Sequence, residues 1–207
     1  MDTNKLLMIH AYLASDGSVF CYKYNKGIDY DIRFYTEDKD ILNLFNNLFC
    51  DTFNVKMKRI KNDISKLGCY GLRIKNKSLY TFLTDKFGDF HSKEWKIPES
   101  LLAKKKSKIS WLKCYFDAEA YVGNDRIQVK SINKKGTKSI NKLLLNLGIK
   151  SKVYGPYKQK VGSNYYVLDI RGKQNLKNYF KLVGFNSKIK TQKLGHVIAG
   201  MPQWLTG

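Results

Sequence analysis

Apolar residues recur every three to four positions over residues 5–17 (KLLMIHAYLASDG) and again over 109–120 (ISWLKCYFDAEA). That is the spacing of an amphipathic helix. Each stretch carries a small residue midway, Ala11 and Cys114, and another four positions on, Ser15 and Ala118. Positions four apart share a helix face, and small residues there let two helix backbones approach closely. Each stretch ends on an acid, Asp16 and Glu119. Two such helices packed side by side would bring these carboxylates together.

Between the helices the pattern switches to alternation. Residues 18–24 read as a strand, and a turn contains Gly27. In the strand 30–36, Tyr30, Ile32 and Phe34 lie on one face, and Asp31, Arg33 and Tyr35 on the other. A helix follows at 40–53, with Ile41, Leu44, Phe45, Leu48 and Phe49 at helical spacing and Asp38 or Asp40 as its cap. Strands at 55–61 and 69–75 precede a short helix at 78–87, with Ser78 as N-cap and Gly88 as its stop. The second half predicts strands at 126–131, 149–156 and 165–171. Its helices fall at 138–147, stopped by Gly148, at 175–183 and at 187–198, before a tail at 201–207.

The two halves repeat. YGLRIKNKSLYTFLTDKFG from Tyr70 parallels YVLDIRGKQNLKNYFKLVGF from Tyr166, 96 positions on, and Glu119 lies 103 positions after Asp16. Internal repeats at such a distance mean one structural unit used twice. The expected fold is therefore α+β: two pseudo-symmetric αββαββα half-domains with antiparallel β-saddles and the two helices packed at the centre. The expected boundaries are 1–89 and 109–207, joined by a linker at 90–108 that contains Pro98 and the solvated run Lys104, Lys105 and Lys106.

Charge sharpens this picture. The chain carries 38 Lys and Arg against 17 acids, a net +21. Self-repulsion of that size is tolerated when the partner is a polyanion. The outward strand positions carry the bias: Arg33 and Tyr35; Lys56 and Lys58; Arg73 and Lys75; Arg126, Gln128 and Lys130; Lys150, Lys152 and Tyr154; Asp169 and Arg171. One polar face is ordinary for an antiparallel sheet, but the positive sign recurs strand after strand. Curved ribbons of this width fit the major groove, where Arg and Gln can bond base edges and Lys meets phosphates. Double-stranded DNA is the expected partner.

Other classes are excluded. No apolar run reaches the roughly 20 residues of a membrane span, and the start lacks a signal-peptide pattern. Cys21, Cys50, Cys69 and Cys114 show no C-x-x-C spacing and are expected to be reduced, mostly buried thiols. His10, His91 and His196 are too scattered for a zinc site. The expected location is cytoplasmic, or wherever the host DNA lies.

Residues 9–17 (IHAYLASDG) and 112–120 (LKCYFDAEA) resemble two degenerate copies of the LAGLIDADG motif of homing endonucleases. Asp16 and Glu119 stand at the motif's metal-binding acid, and Ala11 and Cys114 at its first glycine. Ala14 replaces the first aspartate of the motif in the first copy, and Ala120 the final glycine in the second. The resemblance implies a single-chain monomer that lays one saddle on each half of a long asymmetric duplex site. It implies double-strand cleavage with Mg²⁺ or another divalent cation such as Mn²⁺. Asp16 and Glu119 would share the metal with the main-chain carbonyls of Ser15 and Ala118. Family members often carry Gln or Lys near the end of the second strand of each half; this chain has Glu37 and Asp38 followed by Lys39, and Lys130 and Asn133 in the second half. Lys130 is the expected third catalytic residue. An Asp-Gly turn and a solvated helix end are the plain alternatives for Asp16 and Glu119. An RNA maturase that aids intron splicing, or a cleavage-silent DNA-binding regulator, are the alternatives for the whole chain. Two paired acids favour the nuclease. Intein splicing residues are absent from the ends, so a free-standing, intron-encoded protein is expected.

Overall fold

The computed structural model describes residues 1–25, 27–60 and 68–200. Helix α1 (Thr3–Asp16) runs directly into β1 (Gly17–Tyr24), which turns back as β2 (Gly27–Thr36). A β-carbon at Gly17 would lie 2.5 Å from the Cα of Leu13, so this close passage of strand under helix demands glycine. Helix α2 (Lys39–Phe53) starts where the Asp38 carboxylate accepts the backbone N–H groups of Asp40 and Ile41. Then come β3 (Lys58–Arg59), β4 (Tyr70–Lys75) and α3 (Lys77–Phe87). The second half is α4 (Lys105–Glu119), β5 (Tyr121–Val122), β6 (Arg126–Ser131), α5 (Lys134–Asn146), β7 (Lys152–Tyr157), β8 (Tyr165–Arg171), α6 (Lys173–Leu182) and α7 (Lys188–Gly200).

Each half carries one four-stranded antiparallel sheet, ordered β1-β2-β4-β3 and β5-β6-β8-β7. The same topology twice is what the repeat requires. One face of each sheet is buried, through Ile32, Phe34 and Leu72 in the first and Ile127, Val129, Leu168 and Ile170 in the second. The helices α1 and α4 make the most extensive helix–helix contact among the described residues. Ala11 and Cys114 are fully buried there. Across the same interface the indole N–H of Trp111 donates to Nδ1 of His10 at 3.0 Å. Burial pushes the His10 imidazole down to about 3, so it is neutral and free to accept.

Several elements differ from expectation for local reasons. Asn76, not Ser78, caps α3: its side-chain oxygen accepts the N–H of Leu79 at 3.0 Å. Asn133 caps α5 through the N–H of Gly136 at 2.8 Å, starting that helix four residues early. The strand expected at 55–61 shrinks to β3, because the Asn46 side chain takes the N–H of Met57 at 3.1 Å; residue 61, like the tail 201–207, lies outside the described residues. β5, with two residues, is too short to show alternation. Among the cysteines only Cys114 is buried, and Cys21 is exposed.

The expected linker is a packed strap. Phe90, Trp95, Ile97 and Leu102 are buried, and residues from Lys105 on already belong to α4. Trp95 lies over Gly136 so closely that a β-carbon there would meet the ring at 2.5 Å. It also packs near the rings of Trp111 and Tyr115. Its carbonyl accepts from the Asn133 side chain at 2.7 Å. No helix among the described residues is long and apolar enough to cross a membrane.

Candidate metal and nucleic-acid site

Asp16 and Glu119 end the two central helices, and both line one open cavity of about 730 Å³ together with Glu37, Asp38, Asp117 and Lys190. Removal from water disfavours the charged form of a carboxylate. Burial pushes Asp16 up to about 6; the Lys190 ammonium opposes this and the charge of Glu37 adds to it. Burial pushes Glu119 further, up to about 8, with the Asp16 charge adding to it and Lys190 opposing. The acids of the two repeats therefore feel each other in one poorly solvated space.

Three neighbours were not foreseen. Asp117 is buried and accepts four hydrogen bonds: Tyr12 Oη at 3.1 Å, the Asn186 N–H at 2.8 Å, the Asn186 side-chain amide at 2.7 Å and the Ser187 N–H at 3.0 Å. Ser187 Oγ donates to Asp38 Oδ2 at 2.6 Å, tying the start of α7 to the first half. Lys190, half-buried on α7, donates to the last carbonyls of α4. The signal for Asp117 lay in the motif, whose first aspartate survives in this copy. A lysine in a terminal amphipathic helix carries no such mark.

The donor set fits a hard divalent cation. Of the acids on the open cavity, Asp16 and Glu119 are the pair that ends the two helices; among the described residues no group of three or more His, Cys, Asp or Glu is placed to hold a metal ion. Mg²⁺ is commonly held by one or two carboxylates, with water and substrate phosphate completing its shell. Of the two carbonyl positions, Ala118 O accepts from Lys190 Nζ at 3.2 Å, while Ser15 turns its hydroxyl back onto the Tyr12 carbonyl at 2.8 Å.

The LAGLIDADG-like domain family matches residues 107–184. The homing endonuclease I-DmoI in complex with DNA and Mn superposes with a TM-score of 0.69 at 20% identity, covering 89% of this chain and 98% of that one. Residues 107–184 belong to the LAGLIDADG family, and the chain as a whole has its fold. A probable translation initiation factor IF-2 of Methanocaldococcus jannaschii is 34% identical over 174 residues, 80% of this LAGLIDADG chain. The chain spans 15% of that protein's length. The LAGLIDADG fold is shared as well with the N-terminal LAGLIDADG domain of WhiA, at a TM-score of 0.58 and 10% identity, covering 91% of this chain and 87% of that one.

The LAGLIDADG saddles carry the remaining candidates. Lys56, Lys58, Lys75, Lys130, Lys150, Lys152, Tyr154 and Arg171 are exposed; Arg33, Tyr35, Arg73, Arg126 and Gln128 are half-buried. Asp31, expected on the outer face, is on that face but fully buried beneath Arg33 and Arg73. Arg33 Nη2 reaches it at 2.8 Å and Arg73 Nε at 2.9 Å. In the second sheet the buried acid is Asp169, held by Gln128 at 2.9 Å and by Arg171 at 3.0 and 2.9 Å. Each carboxylate fixes the side chains a duplex would meet.

Tyr35 lines the acid cavity. Lys130 does not. It lies in a separate pocket with Ser131, Ile132, Gln159 and Tyr165, its ammonium 5.9 Å from the Tyr165 ring centre. Lys130 therefore stands apart from the two acids in this structure. Asn133 is likewise spent on capping α5 and holding Trp95. The cations on the acid cavity are Lys190 and Lys193, both from α7.

Proposed function

We propose that this LAGLIDADG protein is a site-specific homing endonuclease that hydrolyses both strands of a long asymmetric DNA duplex as a monomer, using Mg²⁺ or Mn²⁺. The observation that carries this reading is the meeting of one carboxylate from each repeat on one cavity. A DNA-binding module has no need of two half-buried acids brought onto one cavity. The net charge of +21 and the basic outer strand positions support a phosphate-rich partner.

Asp16 and Glu119 would hold the divalent cation, each from its own helix end. A bound divalent cation supplies the charge that activates water and stabilises the leaving oxygen in phosphodiester hydrolysis. The half-buried setting of the acids, screened less than in water, strengthens their pull on a cation. Arg33, Arg73 and Arg171, fixed by Asp31 and Asp169, meet the duplex in set orientations. Gln128 is fixed in the same way by Asp169. Lys56, Lys58, Lys150 and Lys152 sit on exposed strand or near-strand positions suited to phosphates.

We read the chain as intron-encoded and acting wherever the host DNA lies. The test is incubation with DNA spanning the gene's own insertion junction, with and without Mg²⁺. Cleavage of both strands at one site, dependent on Mg²⁺, is expected. Tight binding with no cutting in either Mg²⁺ or Mn²⁺ would support the regulator instead, and preferential binding of the intron transcript the maturase.

A further inference from the structure

An ammonium group has three N–H donors and no acceptor. On Lys190 they face three carbonyls at the C-terminal end of α4: Phe116 at 3.3 Å, Asp117 at 2.5 Å and Ala118 at 3.2 Å. A helix C-terminus carries partial negative charge and unpaired carbonyls, which a cation satisfies. The same ammonium lines the cavity of Asp16 and Glu119. Its helix is anchored on both sides, by Asn186 and Ser187 on Asp117 and by Ser187 on Asp38. Lys188 pairs with Asp40 at 3.6 Å, and Lys193 lies 4.8 Å from the Tyr121 ring centre. Lys190 is thus delivered to this place by a built arrangement, unlike the many lysines on the surface.

We propose that Lys190 is a resident counter-cation of the acid pair, a positioning residue that occupies the Ala118 carbonyl and competes with the divalent ion for the site in the DNA-free protein. This rests on the reading of Asp16 and Glu119 as metal ligands. Ala118 O is engaged by the ammonium, so an ion using that oxygen would sit directly against a positive charge. Two positive charges in one cavity repel, so the free protein holds its metal weakly. The charge of an incoming phosphodiester then favours loading.

Two measurements on the full chain test this. The first is titration of the DNA-free protein with Mn²⁺, followed by electron paramagnetic resonance. Lys190→Gln keeps an N–H donor for the carbonyls and removes the charge; it should bind Mn²⁺ at least about ten-fold more tightly. Lys190→Arg, which keeps the charge, should stay near wild type. Adding Glu119→Gln to Lys190→Gln should abolish the gain. A folded Lys190→Gln protein binding Mn²⁺ no more tightly than wild type overturns the proposal. The second measurement uses only the wild-type chain: the rate at which Lys190 is labelled by an amine reagent, mapped by mass spectrometry. It should rise several-fold when Mn²⁺ is bound, as the ammonium is released, and an unchanged rate at saturating Mn²⁺ also overturns the proposal. Strand cutting by the wild-type protein reports separately on the nuclease reading. Cutting without these effects removes only the role of Lys190; these effects without cutting remove only the nuclease.

Discussion

The segments that follow α3 and α6 land on equivalent places with opposite chemistry. Residues 90–102 cross to the second half and meet Asn133, the N-cap of α5. Residues 185–190 cross to the first half and meet Asp38, the N-cap of α2. The first strap is apolar, seated by Phe90, Trp95, Ile97 and Leu102. The second is polar, seated by Asn186, Ser187 and Lys190. The difference traces to one motif position. Asp117 gathers four hydrogen bonds, whereas Ala14, its counterpart in the first copy, is a buried methyl. The two straps take equivalent positions; one is core, and the other is part of the acid cavity.

The strongest way to break the comparison is through the acids, where the two halves should act alike. Asp16→Asn or Glu119→Gln should each lower the cleavage rate of both strands by roughly a hundred-fold or more, and the double variant should add little, because residues acting as a unit are non-additive. DNA binding, measured by gel shift, should hold or tighten, since a charge that repels phosphate is gone. Normal cutting by Asp16→Asn would remove that residue from the site.

Stability should then separate the straps. Trp95→Ala leaves a cavity over Gly136 and should cost about 3–5 kcal/mol in chemical denaturation. Asp117→Ala strands the donors of Tyr12, Asn186 and Ser187 and should cost about 3 kcal/mol. Only Asp117→Ala should also disturb Mn²⁺ binding, because it frees the start of α7. Equal effects of both variants on Mn²⁺ would mean the straps are interchangeable after all.

The smallest effect is the pH dependence of the metal-free protein. Carboxyls raised to about 6 and about 8 keep protons in the folded state that the unfolded chain releases near 3.8 and 4.5. The folded state therefore binds more protons, and stability falls as pH rises through this window and levels off above about 8. Asp117, also raised by burial, acts in the same direction. Asp31 is lowered, with the Arg33 and Arg73 hydrogen bonds outweighing its burial, so its contribution is complete above the unfolded value and stays constant here. His10, pushed down to about 3 by burial, acts the opposite way below its unfolded value of 6.5, so the net fall in melting temperature, a few degrees, should come mainly between about pH 6.5 and pH 8. Glu119→Gln should flatten that slope more than Asp16→Asn, since the Glu119 shift is larger. A flat wild-type profile would mean the acids are solvated.

Much of this was legible in the sequence where a period or a repeat carried it. The two central helices, the strands 126–131 and 165–171 and the paired acids all follow from spacing. What was not legible lacked a period. Trp95 and Ile97 are isolated apolar residues in a polar stretch, and nothing local says that Gly136 leaves room for an indole. The burial of Asp31 depends on cross-strand register, which sets Arg33 opposite Arg73. Lys190 depends on where a terminal helix docks. The place of Lys130, apart from the acids, was not legible either, because one face of a strand says nothing of which end of the saddle reaches the acids.

The reciprocal straps bear on how the molecule comes apart. Residues 1–89 alone would lack the hydroxyl of Ser187 that meets Asp38, and residues 109–207 alone would lack the indole that covers Gly136. Each repeat is thus finished by its neighbour's chain. Two such units cannot be peeled away in turn without exposing a helix start and part of the shared core. Loss of one strap should loosen both halves, and a single transition in calorimetry is the expected outcome.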